Sequence, residues 1–396
     1  MKKVKIALLG LGNVGRGVWN ILQMNGEEIM KRSGCQVEVA KILVRDPSKA
    51  RAVKVPEELI TTNFDEILND DSIKIIVEVM GGIEPAREYI LKSLNKKKHI
   101  VTANKMLLAT YGDELFKKAD EEEVMLNYEA SVAGGIPIIQ AINESLTANK
   151  IEKLYGIING TTNFILSKME LEGSDFENVL KEAQEKGYAE ADPTSDIEGF
   201  DAQYKLAILS SLAFGTKVKI DDVYREGITK ITSKDIRYAK DFGLVIKLLA
   251  IAKETDGKLQ LRVHPTMIPA THPLAKDIVS ILRSDVDTEN RLPVEKNNLW
   301  HKEIGEINDI TSRYYIRTTV TDRPGVLGEI TAIFGRHGVS LRSVIQRGRI
   351  KNEEEVGLVL VTHYTEEKQL QGAINEVKDI DAVKEINNMI RIEDFN

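Results

Sequence analysis

The chain has 396 residues, 42% of them apolar and 29% charged, with a formal net charge of −7 at neutral pH. That is enough for two or three domains with sizeable cores, and the acidic balance argues against a general nucleic-acid binder, which presents a basic face. The apolar stretch behind the charged start Met1-Lys2-Lys3 ends at Gly10, and no run is long enough to cross a bilayer, so neither a secretory leader nor a membrane partner is expected. The single cysteine, Cys35, cannot form an internal disulfide, which suits a cytoplasmic protein.

In chain order, residues 4–9 form a short apolar run ending in glycines, the pattern of a buried parallel strand. Helical spacing follows over 15–30. Further strands are predicted at 37–44, 73–79 and 99–102, with helical stretches at 86–94 and 114–122. This alternation predicts an α/β domain over 1–128 built on a doubly wound parallel sheet. The loop 129–137, rich in glycine and closed by proline, marks a change. Helical patterns at 138–146, 164–172, 176–186, 201–214 and 233–254, with strands at 153–158 and 259–264, predict an α+β substrate and dimerisation domain over 129–275. Residues 286–312 read as a linker. Over 313–396 the order is strand, helix, strand, strand, helix, strand (314–320, 326–337, 339–348, 355–363, 367–377 and 383–392), the ferredoxin-like βαββαβ arrangement.

Gly10-Leu11-Gly12-Asn13-Val14-Gly15 carries G-x-G-x-x-G spacing between a predicted strand and a predicted helix. In a dinucleotide site the first glycine permits the tight turn and the second lets backbone approach a pyrophosphate. The third lets the helix pack on the strand. The helix N-terminus then offers free N–H groups to the phosphates. A glycine turn without ligand is the competing reading, and the strand context favours the dinucleotide. The second strand ends in Val44-Arg45-Asp46. NAD sites use an acid there for the ribose hydroxyls, and an arginine accommodates the NADP 2′-phosphate. The cofactor is therefore NAD or NADP, with Arg45 tilting toward NADP and an ordinary surface Arg–Asp pair as the alternative.

Three further segments stand out. Val101-Thr102-Ala103-Asn104-Lys105 sets a lysine past the end of a strand, where ligands bind in open α/β sheets. Asn159-Gly160-Thr161-Thr162-Asn163 is a polar cluster before a helix. The acidic run from Gly187 ends on a helix where Asp201 and Lys205, four residues apart, share one face. Taken alone, that pair reads as an exposed ion bridge worth roughly 0.3–0.5 kcal/mol. Together with Glu129-Ala-Ser-Val-Ala-Gly-Gly-Ile-Pro137 and Ala189-Glu-Ala-Asp-Pro-Thr-Ser-Asp-Ile-Glu-Gly199, these motifs occur in the order of the homoserine dehydrogenase family. The chain resembles that family over about its first 285 residues.

The resemblance implies an NAD(P)-dependent oxidoreductase that interconverts L-homoserine and L-aspartate 4-semialdehyde in threonine, methionine and isoleucine biosynthesis. It implies Lys205 as proton donor and acceptor. Lys105 would be a second active-site lysine that polarises the carbonyl and, as a neighbouring cation, tunes Lys205. Glu190 and Asp201, with Lys105, would bind substrate, their carboxylates pairing with its ammonium. Cofactor contacts would come from Gly10, Gly12, Asn13, Val14, Gly15, Arg45, Thr102, Lys105 and Gly187. Oxygens of Glu129, Val132, Gly134 and Ile136 would hold Na+ or K+; a plain turn into a helix fits the same residues. His264 and His272 each precede proline, in extended or turn segments. No residue spacing suggests zinc.

The chain departs from the family after His272-Pro273-Leu274-Ala275. There the family carries a few dozen more residues, including a second glycine-rich run. Here Lys276 follows at once, and about 276–285 resembles the helix by which the family's chain returns to the nucleotide domain. This leaves an alternative function: an impaired or non-catalytic binding paralogue that keeps the nucleotide and amino-acid sites.

Thr321-Asp322-Arg323-Pro324-Gly325-Val326-Leu327-Gly328, between strand and helix, resembles an ACT domain. Such domains pair and bind a small amino acid, which implies contacts from Asp322, Arg323 and the backbone of Gly325, Val326 and Leu327, with Gly338 near the pairing interface. The expected effector is threonine, the competing reading is a dimerisation module without ligand, and the expected assembly is a dimer or tetramer.

Overall fold

A computed structural model describes residues 2–275, 279–282, 302–346 and 355–394. The chain divides into two compact units. One consists of Met1–Asn149 and Ala207–Ile220, and the other of Lys150–Leu206 with the described residues from Asp221 onward.

The first unit runs β1 (Lys2–Leu9), α1 (Asn13–Met24), α2 (Gly26–Ser33), β2 (Cys35–Leu43), β3 (Ile60–Thr61), α3 (Phe64–Leu68), β4 (Ile73–Glu78), α4 (Ala86–Asn95), β5 (His99–Thr102), α5 (Lys105–Glu121), β6 (Leu126–Asn127) and the short α6 (Ile138–Gln140). Its sheet has the order β3-β2-β1-β4-β5-β6, every pair parallel. The strand order reverses beside β1, which places the crevice for a nucleotide at the carboxyl end of that strand. The end of β1 is buried, and Ile6, Leu8, Trp19, Val39, Ile42 and Val77 share one core. The helix predicted over 15–30 is two helices broken at Asn25, whose backbone (φ −112°, ψ 14°) leaves the helical region. Asn25-Gly26 are weak helix formers, so little resists the break.

The second unit opens with β7 (Lys153–Gly156), α7 (Gly160–Glu172), α8 (Phe176–Glu185), α9 (Thr194–Ile197) and the first half of α10 (Phe200–Ala213), whose residues from Ala207 onward count with the first unit. It continues with β8 (Tyr224–Arg225), α11 (Ser233–Asp241), β9 (Leu244–Thr255), β10 (Lys258–Pro269), β11 (Val279–Leu282) and β12 (Glu303–Ile304). Two expectations are corrected here. The helix predicted over 233–254 stops at Asp241. Gly243 takes a positive φ of 71°, and Leu244–Thr255 is a strand paired along its whole length with β10. Residues 245–252 are buried without alternation, and an apolar run covered on both faces carries no period to tell strand from helix. The returning helix expected over 276–285 is, at Val279–Leu282, a strand antiparallel to β7. Its backbone groups are satisfied by the sheet edge; the remainder of that stretch lies outside the described residues. The linker expected at 286–312 includes β12, which pairs with β10, and residues 286–301 lie outside the described residues.

The C-terminal part comprises β13 (Thr311–Thr321), α12 (Val326–Arg336), β14 (Leu341–Gln346), β15 (Glu355–Thr362), β16 (Thr365–Glu366), α13 (Glu367–Lys378) and β17 (Val383–Ile392). The order β17-β13-β15-β14 is antiparallel throughout, the ferredoxin-like arrangement that the sequence order predicts. Ile316, Leu358, Ile330, Phe334, Leu370 and Ile374 form its core. β17 also runs parallel to β10 at Thr266 and Met267, so one sheet spans the second unit. Buried charge reinforces that seam. Asp235, on α11, accepts hydrogen bonds from Tyr315 Oη at 2.9 Å, Arg317 Nε at 2.7 Å and Asn388 Nδ2 at 3.0 Å. Burial alone would raise the Asp235 carboxyl, but the Arg317 guanidinium and the Thr232 and Asn388 donors outweigh it and hold it below the usual carboxylate value.

Candidate active site

The glycine turn after β1 is shaped by contacts that leave no choice of residue at two positions. Gly10 has φ of 107°, and a Cβ there would meet the Val79 carbonyl oxygen at 2.9 Å. A Cβ on Gly15 would fall 2.3 Å from the Gly10 carbonyl oxygen. Gly12 differs, because nothing lies within 4 Å of its Cβ position. It precedes α1 as N-cap with no side-chain cap, so its open space borders the start of that helix, the place where a pyrophosphate binds in such turns. The residues present thus fit a dinucleotide. In the same turn, Val14 is exposed and Asn13 accepts a hydrogen bond from Arg16. Arg45 is exposed just past β2. The Asp46 carboxylate turns to Ser48, accepting from its backbone N–H at 2.9 Å and its hydroxyl at 2.6 Å. Those two donors lower its affinity for a proton.

At the carboxyl ends of β4 and β5, Thr102 is buried and donates its hydroxyl to Glu78 at 2.6 Å. Glu78 also accepts the Met80 N–H. Asn104 caps α5 by accepting the Leu107 N–H, and its amide donates to the Gly82 carbonyl at 2.7 Å. Lys105 is the first residue of that helix and part-exposed. Glu78 was not legible as a site residue: a glutamate inside an apolar run gives no sign that it pins two strand ends.

In the second unit, Asn159, Gly160, Thr161, Phe164, Gly187, Tyr188, Asp196, Asp201 and Lys205 line a cavity of about 500 Å³. Asp201 is only 4% exposed, so its pairing with Lys205 is not the surface bridge that spacing alone suggests. Lys205 Nζ donates to Asp201 Oδ2 at 2.6 Å and to the Ile158 carbonyl at 2.8 Å. Asn159 Nδ2 donates to Asp201 at 2.9 Å and to Asp196 at 2.6 Å, while its Oδ1 caps α7 by accepting the Thr162 N–H. Asp201, Lys205 and Gly187 thus come together around one cavity. Glu190 is exposed and outside that lining. Asn159 and Asp196 were not singled out as site residues, although both sit in the polar runs that were. An ammonium has three donors, and two of those on Lys205 are taken.

The loop named for a monovalent cation behaves as follows. The Glu129 carboxylate accepts the N–H groups of Ile139 and Gln140 at the start of α6. The Ile136 carbonyl accepts the Ile138 N–H, and that of Glu129 accepts the Val132 N–H. The Val132 and Gly134 carbonyls accept no backbone hydrogen bond among the described residues. Also among the described residues, no group of three or more His, Cys, Asp or Glu side chains is placed to hold a metal, and no helix is long and apolar enough to cross a membrane. In the C-terminal turn, Asp322 and Arg323 lead to Gly325, which has φ of 95° and precedes α12. Val326 is buried in the core and Leu327 is exposed. Asp322 accepts from Gln346 on β14 at 3.4 Å. Gly338, with φ of 73°, follows α12.

The first unit's reversing parallel sheet and open glycine turn define the class, a dinucleotide-binding protein of the doubly wound kind. Known proteins agree with this and narrow it. The homoserine dehydrogenase NAD-binding domain matches residues 10–129, the homoserine dehydrogenase catalytic domain residues 137–284 and the ACT domain residues 314–382. A homoserine dehydrogenase of Neisseria gonorrhoeae is 40% identical over 436 aligned positions, covering all of both chains. The crystal structure of a homoserine dehydrogenase from Thiobacillus denitrificans superposes with a TM-score of 0.90 at 40% identity, covering 100% of this chain and 99% of that one. A hyperthermophilic archaeal homoserine dehydrogenase in complex with NADPH matches at a TM-score of 0.57 and 28% identity, covering 69% of this chain and 84% of that one. The chain belongs to the homoserine dehydrogenase family. Because 436 aligned positions cover only 396 residues here, the Neisseria protein carries stretches that this chain lacks.

Proposed function

We propose that Lys205 exchanges the proton as this enzyme interconverts L-homoserine and L-aspartate 4-semialdehyde. The observation that carries the reading is the pair of part-buried Lys205 and buried Asp201 on the wall of a cavity large enough for an amino acid. Asp201 and the Ile158 carbonyl hold two of the ammonium's N–H groups, which leaves one for a substrate oxygen. The nicotinamide, when bound, supplies the hydride chemistry. The protein's task is then to orient the alcohol and move one proton. Lys105 joins as the second active-site lysine, polarising the carbonyl. Glu190 and Asp201, together with Asp196, receive the substrate ammonium. The fixed positions of Gly10 and Gly15 and the open one of Gly12 support pyrophosphate binding, along with Asn13, Val14, Thr102, Lys105 and Gly187 as cofactor neighbours.

NADP is the favoured cofactor. Arg45 is exposed just past β2, the strand after which an arginine accommodates a 2′-phosphate in such folds, and the carboxylate beside it is occupied with Ser48. A relative's complex with NADPH is in keeping. Na+ or K+ at the loop of Glu129, Val132, Gly134 and Ile136 is supported by the carbonyls of Val132 and Gly134, which accept no backbone hydrogen bond among the described residues. Threonine as effector rests on the ACT fold, with Asp322, Arg323 and the N–H groups at Gly325–Leu327 as its contacts. A dimer or tetramer working in the cytoplasm completes the reading. The non-catalytic alternative is not favoured, since the Lys205 cavity is assembled despite the shortened segment. The test is reduced-nicotinamide absorbance with homoserine and either cofactor, comparing the protein with Lys205→Ala. Loss of an acid–base group costs about 10²–10⁴ in rate, and equal rates would defeat the assignment.

A further inference from the structure

The entry to α10 is held from outside itself. Asp201 and Lys205 lie in its first turns, and the four residues before Asp201 pack against the segment that begins with β8. The Ile228 N–H donates to the Ile197 carbonyl at 2.8 Å. Gln203 Nε2 donates to the Val223 carbonyl at 2.8 Å. Gly227 approaches so closely that a Cβ would lie 2.5 Å from the Ile197 carbonyl oxygen. Two charged side chains join this contact, Glu198, whose carboxylate accepts the Thr229 hydroxyl at 3.1 Å, and Arg225. Its Nη1 donates to the Glu198 carbonyl, and its guanidinium lies over the Phe200 ring, 3.6 Å from the centroid. Phe200 is the first residue of α10, so Arg225 grips the chain immediately before the acid–base pair.

Both sequence neighbours of Arg225 are held by one residue of the C-terminal fold. Arg391, on β17, is buried. It donates to Glu226 Oε1 at 2.8 Å and to Glu367 at 2.8 and 2.9 Å, and its guanidinium lies 5.2 Å from the centroid of the Tyr224 ring. Tyr224 in turn donates its hydroxyl to Glu226. β8 is also fixed by parallel pairing to β10, Arg262 with Tyr224 and Val263 with Arg225.

We propose that Arg225 is a positioning residue for the Asp201–Lys205 pair, and that Arg391 sets its place from the C-terminal domain. The proposal rests on the reading of Lys205 as the acid–base group. A guanidinium suits the task because it stacks and donates at once, whereas an ammonium donates without stacking flat. Displacing a reacting group by an ångström costs as much as about a hundredfold in rate, so a loosened start of α10 is felt in turnover before it is felt in folding.

The test compares Arg225→Lys, Arg225→Ala and Glu226→Gln with the unsubstituted protein and with Lys205→Ala. The readouts are kcat, the homoserine KM, the pH profile of kcat/KM and the melting temperature. Arg225→Ala is expected to lower kcat at least tenfold and to displace the pH profile, with Arg225→Lys recovering part of both. Glu226→Gln, which cuts one tie to Arg391, is expected to move the profile in the same direction by less. An Arg225→Ala enzyme with unchanged kcat and profile overturns the proposal. So does one whose rate falls only in step with its folded fraction while the profile stays put. Wild-type behaviour of Glu226→Gln overturns the link to Arg391. An active Lys205→Ala instead defeats the acid–base reading, whatever Arg225 does.

Discussion

Gly12 and Gly15 lie three residues apart in one turn, yet replacing each by alanine tests a different property. At Gly15 the added Cβ would stand 2.3 Å from the Gly10 carbonyl oxygen, whereas ordinary contact begins near 3.4 Å. Backbone atoms must part by about an ångström, and the neighbour is main chain that cannot swing aside. Overpacking of this kind costs about 1–3 kcal/mol, or roughly 2–12 °C of melting temperature at 2–4 °C per kcal/mol. At Gly12 no atom lies within 4 Å, and φ of −77° is ordinary for alanine. The weaker N-cap is offset by a less free unfolded chain, so the ligand-free melting temperature should hold within about 2 °C. The open space is, however, where the pyrophosphate needs to approach. A methyl there should weaken NADPH binding at least about tenfold, some 1.4 kcal/mol. Calorimetric titration with NADPH, together with melting curves with and without it, separates the two effects, because the cofactor-induced rise in melting temperature shrinks with affinity. The reasoning fails if Gly12→Ala binds NADPH as the unsubstituted protein does. It fails equally if Gly15→Ala melts unchanged without ligand.

Three further outcomes are expected. Arg45→Ala should lower the ratio of kcat/KM for NADP over NAD by about tenfold, the worth of one charged hydrogen bond to a phosphate; an unchanged ratio removes Arg45 from the cofactor site. Asp235→Ala strands the buried Arg317 guanidinium and should cost about 3–5 kcal/mol in chemical denaturation, so a loss below about 1 kcal/mol would contradict the seam. The folded-state Asp235 carboxyl sits below its ordinary 3.8, so its contribution is present above that pH and fades as the pH falls through the lower folded-state value. His264 is fully buried, with Nδ1 2.9 Å from the Pro265 carbonyl oxygen and Nε2 without a partner among the described residues. Burial, then the Arg391 and Arg262 charges, hold it well below its ordinary 6.5. The unfolded chain therefore takes up a proton first as the pH drops below 6.5, and stability should fall by up to about 1.4 kcal/mol per pH unit. Urea titrations across that range should show a shallower slope for His264→Gln, and an identical slope would exclude His264 as the source.

What the amino-acid order determined by itself is what local backbone and side-chain chemistry dictates. Gly10 and Gly15 are required by a turn and a close approach within six residues, so the nucleotide-binding unit was legible from spacing alone. The alternation of strand and helix did the same for the parallel sheet and for the ferredoxin-like C-terminal part. The face shared by Asp201 and Lys205 followed from the helical repeat. Tertiary structure alone decided that this pair lines a cavity and is not a surface bridge, because it is held by Ile158 and Asn159, more than 40 residues earlier in the chain. It also decided that residues 244–255 are a strand, since a run covered on both faces keeps no period, and that Glu78 ties β4 to β5. Arg225 and Arg391 carry no local signal either, as a charge reveals its partner only once the chain has brought the two together.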